Sequence, residues 1–200
     1  MGKMRSGVFG AALVLAVVAG GCAPDDGADG EATTDSLTVA PPPAPAAAAA
    51  PTDAQIAMIV VTANSADSAA GEVAKTKGVN ADVKAFGQRM VTDHGAVNKQ
   101  ATDLATKLNV TPEESDISRQ MKSDAQAHMS ALQGASGSEF DKAYIDHEVT
   151  MHQQVLDALD QQLIPNAQNA ELKSLLETVR PAIAAHLESA KQIQSKLGQQ

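Results

Sequence analysis

From Asp53 to Leu197, apolar residues recur every third or fourth position, the spacing of one buried helical face. Ile56, Ile59, Val60, Ala63, Ala70 and Ala74 predict a first helix over Asp53 to Lys77, stopped by Gly78, with Asn80 capping the next. Val83, Phe86, Met90, Val97, Ala101, Leu104 and Leu108 predict a second over Ala81 to Leu108. Thr111-Pro112-Glu113-Glu114 combines an N-cap, a first-turn proline and a capping-box glutamate, so a third helix should start there and run to about Leu132. Gly134 to Ser138 breaks the chain before a fourth helix, Glu139 to Ile164. A fifth should run from about Asn169 to Leu197, with Pro181 inside it. No alternating pattern competes, so the expected fold is all-α: a four-helix bundle with an additional shorter helix between its second and third members.

Composition refines this picture. Beyond the first residues the only aromatic side chains are Phe86, Phe140 and Tyr144, so the core must be aliphatic and its helices close where alanines meet. Ala23 to Thr52 is rich in Ala, Pro, Gly and Asp and cannot bury enough apolar surface to offset its ordering entropy, so residues 22–52 read as a tether. Ahead of it, Lys3 and Arg5, the apolar run Val8 to Val18 and Ala19-Gly20-Gly21-Cys22 form a secretory signal over residues 1–21. The last four residues resemble a bacterial lipoprotein box. That resemblance implies cleavage before Cys22, lipid on that residue, and a periplasmic location on a membrane, the outer one favoured. Cys22 is the one cysteine, so no disulfide supports the domain. The net charge of −9 repels nucleic acid, leaving the membrane, through lipid on Cys22, as the one partner the sequence indicates. It names no protein partner.

Several polar residues fall where the core should be. On helical wheels at 100° per residue, Asp67 lies between Ala63 and Ala70, and His94 between Met90 and Val97. Glu148 sits at the centre of the fourth helix's stripe with His152 one turn on, and His186 lies between Ile183 and Ala190. Asp67 precedes the turn at Val79 by about as many residues as His94 follows it, which puts them within roughly 5 Å of one level. Two carboxylates and three imidazoles at one level need each other, water or a metal. His128 and His147 read as surface residues, while Met90 and Met151 stand near the inward histidines.

Val83-Lys84-Ala85-Phe86-Gly87-Gln88-Arg89-Met90-Val91-Thr92-Asp93-His94, Glu139 to Tyr144, and Pro181 to Leu187 resemble domain-of-unknown-function family 4142. That resemblance implies a ferritin-like bundle in an exported bacterial protein and lends no activity. Ferritin-like di-iron sites carry a lone carboxylate on each of two helices and Glu-x-x-His on each of the others. Asp67 and Glu148 match the carboxylates, and His94 and His186 the histidines. Val91 and Ile183 stand where the remaining glutamates belong, and His152 is extra. The expected function is therefore a non-enzymatic structural or interaction bundle of the envelope, needing no cofactor. The alternative is a metal-binding or metal-sensing bundle holding one transition-metal ion (zinc, iron or copper) on Asp67, His94, Glu148, His152 and His186.

Overall fold

A computed structural model of the chain describes residues 50–199; the signal, Cys22 and the tether as far as residue 49 lie outside them. The described residues form α1 (Asp53–Lys77), α2 (Ala81–Lys107), α3 (Asp116–Gly134), α4 (Gly137–Ala158) and α5 (Ala170–Leu197). Helix α4 continues through a π-helical turn, Leu159–Leu163, into a last turn, Ile164–Asn166. No strand occurs among the described residues, and no helix there is long and apolar enough to cross a membrane.

Local chemistry sets the ends. Thr52 and Gln55 form a capping box at the start of α1, and the Asn80 and Asn169 side chains accept the first free N–H groups of α2 and α5. Helix α3 starts later than its sequence indicates. Residues 111–115 are non-helical, and the Glu113 N–H donates to the Ala54 carbonyl at 3.0 Å. That tertiary bond fastens the strongest local start signal to α1, and Ser115 with Ser118 supplies the capping box instead. The fourth helix begins at Gly137, two residues ahead of the predicted Glu139, where glycine takes the left-handed φ of 59°.

Side-chain ties give the direction of each helix. The start of α3 is bonded to the start of α1, while Lys77 Nζ, at the end of α1, donates to the Leu132 and Gln133 carbonyls at 2.7 and 2.8 Å. The Asp141 carboxylate accepts from Val79 N at 3.0 Å and Asn80 N at 2.7 Å, holding the start of α4 at that same end. Asp53 accepts from Gln168 N and Asn169 N at the other end, and Lys196 pairs with Asp82 at 2.7 Å as α5 returns. Thus α1 and α5 run one way, α2 and α4 the other, and α3 is the long crossover packed on α1 and α4. This is the connectivity of a ferritin-like bundle.

Asp141 is fully buried at the α1–α2 turn, so its two charge-assisted bonds have no solvent substitute. Asp141→Ala is expected to cost about 3 kcal/mol, read from urea unfolding, because two N–H groups lose their acceptor. A loss below about 0.5 kcal/mol would show that the turn finds other acceptors.

The core divides into two apolar clusters. Ile56, Ile59, Val60, Leu156, Leu159, Leu172, Leu176 and Leu187 belong to one. Ala74, Val83, Phe86, Met90, Leu132, Phe140, Tyr144 and Ile145 belong to the other. The π-turn contributes Leu159 and Leu163, both buried, to the first. Buried polar residues interrupt the apolar faces near where the clusters meet: Asn64 and Asp67 on α1, His94 on α2, Glu148 and His152 on α4, and His186 on α5.

Candidate metal centre

All five inward polar residues indicated by the sequence meet in that layer, none of them more than 5 % exposed. Helix α1 supplies Asp67, α2 His94, α4 both Glu148 and His152, and α5 His186. The rings of His94, His152 and His186 lie 5.2 to 5.6 Å apart, centroid to centroid. One ligand-type atom from each histidine lies within 4.8 Å of those of the other two, and the same holds for Asp67, Glu148 and His152.

Each imidazole is held through one nitrogen. Asn64 Nδ2 donates to the Val60 carbonyl at 2.7 Å, which turns Asn64 Oδ1 toward His94 Nδ1, 2.8 Å away. His152 Nδ1 lies 2.9 Å from the Glu148 carbonyl and 3.3 Å from its carboxylate Oε2, and His186 Nε2 lies 2.9 Å from Asp93 Oδ2. Since these acceptors carry no hydrogen, each places the ring proton on the nitrogen that faces it. The other nitrogens, His94 Nε2, His152 Nε2 and His186 Nδ1, are buried and have no hydrogen-bond partner among the described residues. The same is true of Asp67 Oδ1 and both oxygens of Glu148. His94 Nε2 comes within 3.0 Å of Asp67 Oδ2, and His152 Nε2 within 3.5 Å. Lone pairs that close repel unless a proton or a metal cation stands between them.

The electrostatics fit a cation site. Burial lowers His186 to about 4, outweighing the opposing pull of Asp93, so its ring is neutral at neutral pH and its inward nitrogen is free to ligate. At Asp67 burial pushes the carboxyl up, but His94 beside it and the charges of His152 and His186 together prevail and hold it below the usual range. Glu148 goes the other way, raised well above its ordinary value by burial and by the Asp67 charge. The Tyr144 hydroxyl, raised by its own burial and then by Glu148, stays a neutral phenol.

These shifts give a testable sign for the metal-free chain. Below the ordinary glutamate value of 4.5 Glu148 is protonated whether the chain is folded or not. Above it the unfolded chain releases that proton while the fold retains it, so Glu148 lowers stability as pH rises. In chelator, Glu148→Gln is therefore expected to match the native chain near pH 4 and to exceed it by about 1–3 kcal/mol at pH 7 to 8. A gap independent of pH in urea unfolding would refute the assignment of Glu148 as a buried acid.

The sequence pattern missed Asn64, Asp93 and Tyr144. Asn64 lies three residues before Asp67 within the buried face of α1, a signal that a search restricted to ionisable residues passes over. Asp93 is half-buried at the rim, and only the approach of α5 gives it a role. His128 and His147 are not the surface residues they were expected to be. Both are half-buried, with rings stacked at 3.4 Å between centroids, because α3 lies directly over α4 there. Val91 and Ile183, at the positions of the absent glutamates, are packing residues: Val91 faces Gly71 across the α1–α2 contact, and Ile183 is buried in the first cluster.

Fold and site together define a ferritin-like helical bundle whose two apolar cores flank a buried histidine–carboxylate layer. The chain belongs to the family described as domain of unknown function DUF4142, whose model matches residues 38–193. The matched region starts within the stretch read as a tether and takes in every residue of the layer. Comparison with curated proteins and with solved structures gave no match.

Proposed function

We propose that this bundle is a metal-binding protein, holding one transition-metal ion on His94, His152 and His186 with Asp67 and Glu148 as its carboxylates. The observation that carries this reading is the orientation of the three imidazoles. Each has one N–H fastened by an acceptor and its other nitrogen buried without a partner among the described residues, and one ligand-type atom of each lies within 4.8 Å of those of the other two. Outer acceptors of this kind fix the tautomer and raise the basicity of metal-ligating histidines. Three imidazoles with carboxylate suit zinc, iron or copper over calcium or magnesium. A four-coordinate zinc separates its nitrogens by about 3.4 Å, so the rings need to close by no more than about an ångström and a half.

A purely structural polar core answers the same residues less well. In such a core the groups satisfy one another or hold ordered water; among the described residues six buried nitrogen and oxygen atoms of this layer have no aligned protein partner. The basic start, apolar run and Ala19-Gly20-Gly21-Cys22 support placing the bundle in the bacterial envelope, tethered through lipid on Cys22.

Elemental analysis of the full chain after exposure to zinc, iron and copper tests the reading. One ion per chain is expected, lost in His186→Ala with helix content unchanged by circular dichroism. A folded chain that retains no metal would overturn it.

A further inference from the structure

Bordered by the metal layer and roofed by α3 lies a pocket of about 670 Å³, to which α1, α2, α4 with its π-turn, and α5 also contribute. Protein interiors are close-packed and seldom leave space much larger than a water molecule, whereas this volume falls in the range that holds a drug-sized ligand. The way α3 is mounted explains it. Its fully buried residues, Ser118 and Leu132, sit near its two ends, and those ends carry the bonds from Ser115 and Lys77. Over the middle, α3 presents Met121, Ala125 and Met129 to the pocket, and none of them is fully buried. The crossover thus behaves as a roof fixed at both ends over an unfilled span.

We propose that this space is a binding site for one uncharged, largely apolar molecule. The walls are mainly aliphatic, with Met121, Met129 and Met151 among them, and flexible thioethers adapt to a guest's shape. Polar groups gather at the floor, where Asp67 and Glu148 line the pocket, and at the rim, where Asp124 does. Asp67 and Asp124 disfavour an anion, and most of the wall is aliphatic surface, which favours a guest with little hydration to lose. A guest would lie against the carboxylates of the metal layer. The pocket itself requires no metal.

The test uses the neutral fluorophore N-phenyl-1-naphthylamine and the full chain carrying Cys22→Ser, so that neither lipid nor detergent competes for the probe. The probe is excited at wavelengths beyond tryptophan absorption, so the native chain, which has no tryptophan, and the tryptophan variants are read alike. Saturable binding of about one probe per chain is expected, in chelator and with zinc alike. Ala125→Trp, which fills the pocket from the roof, should weaken it at least tenfold, whereas Ala127→Trp on the exposed face of the same helix should not. If circular dichroism shows Ala125→Trp to be misfolded, Ala125→Val and Ala125→Leu should weaken binding in that order. The anionic probe 8-anilinonaphthalene-1-sulfonate should bind at least tenfold more weakly than the neutral one. No saturable binding by the folded chain, binding indifferent to residue 125, or preference for the anion would overturn the proposal. Metal content, measured on the same samples, reports separately on the metal reading.

Discussion

His152→Ala is expected to reduce metal affinity at least 100-fold, measured by equilibrium dialysis with elemental analysis, while leaving the helix content intact. This residue is the hinge of the layer, since it belongs both to the three-histidine group and to the group with Asp67 and Glu148. Its Nε2 faces Asp67 Oδ2 at 3.5 Å while its Nδ1 is fixed by the Glu148 carbonyl, so no neighbouring side chain can take over its position. Asn64→Ala and Asp93→Ala should have smaller effects, about 10- to 100-fold, because those residues orient His94 and His186 from outside. Equal effects from all three changes would point to general loosening of the core. Undiminished metal binding in His152→Ala would remove the layer from consideration as the site.

The second large effect is expected in the scaffold. Gly87→Val should destabilise the chain by at least about 3 kcal/mol, seen as a lower urea midpoint, since α1 and α2 touch backbone to backbone at this point. A Cβ on Gly87 would lie 2.8 Å from the Gly71 carbonyl oxygen, 2.9 Å from Ala74 Cβ and 3.0 Å from Lys75 N. A Cβ on Gly71 would in turn lie 2.7 Å from the Gly87 carbonyl oxygen. Backbone cannot swing aside as a side chain can, so the helices would have to part. Even Gly87→Ala should lose stability, although alanine is worth roughly 1 kcal/mol more than glycine in a helix interior. Gly95, on the same helix, has open space around its Cβ position, so Gly95→Ala should gain about that amount. A stabilised Gly87→Ala chain would contradict the close approach. Parting α1 from α2 would also separate Asp67 from His94, so Gly87→Val should weaken metal binding too.

The bundle was legible because each long helix carries its own periodicity. The inward residues Asp67, His94, Glu148, His152 and His186 stood out because each interrupts an apolar stripe, and counting residues from the turn at Val79 put Asp67 and His94 at one height. Tertiary partners decided what could not be read. The start of α3 moved from Thr111 to Ser115 because Glu113 bonds to Ala54, a residue remote in the chain. Asp93 holds His186 only because α5 returns alongside α2, and no local pattern in the sequence carries that pairing. His128 and His147 look solvated on their own helices and become a stacked pair only when α3 crosses α4. The pocket under α3 was equally hidden, since sequence periodicity says which face of a helix turns inward and not how far its middle stands from its neighbours.

X-ray absorption spectroscopy of the zinc-loaded full chain tests the central claim most directly, because it counts the atoms that bind the ion. The account predicts three imidazole nitrogens at about 2.0–2.1 Å together with carboxylate oxygen, and loss of one imidazole in His186→Ala. A shell of oxygen alone, or one unchanged by His186→Ala, would place the ion elsewhere and leave the buried layer without a metal.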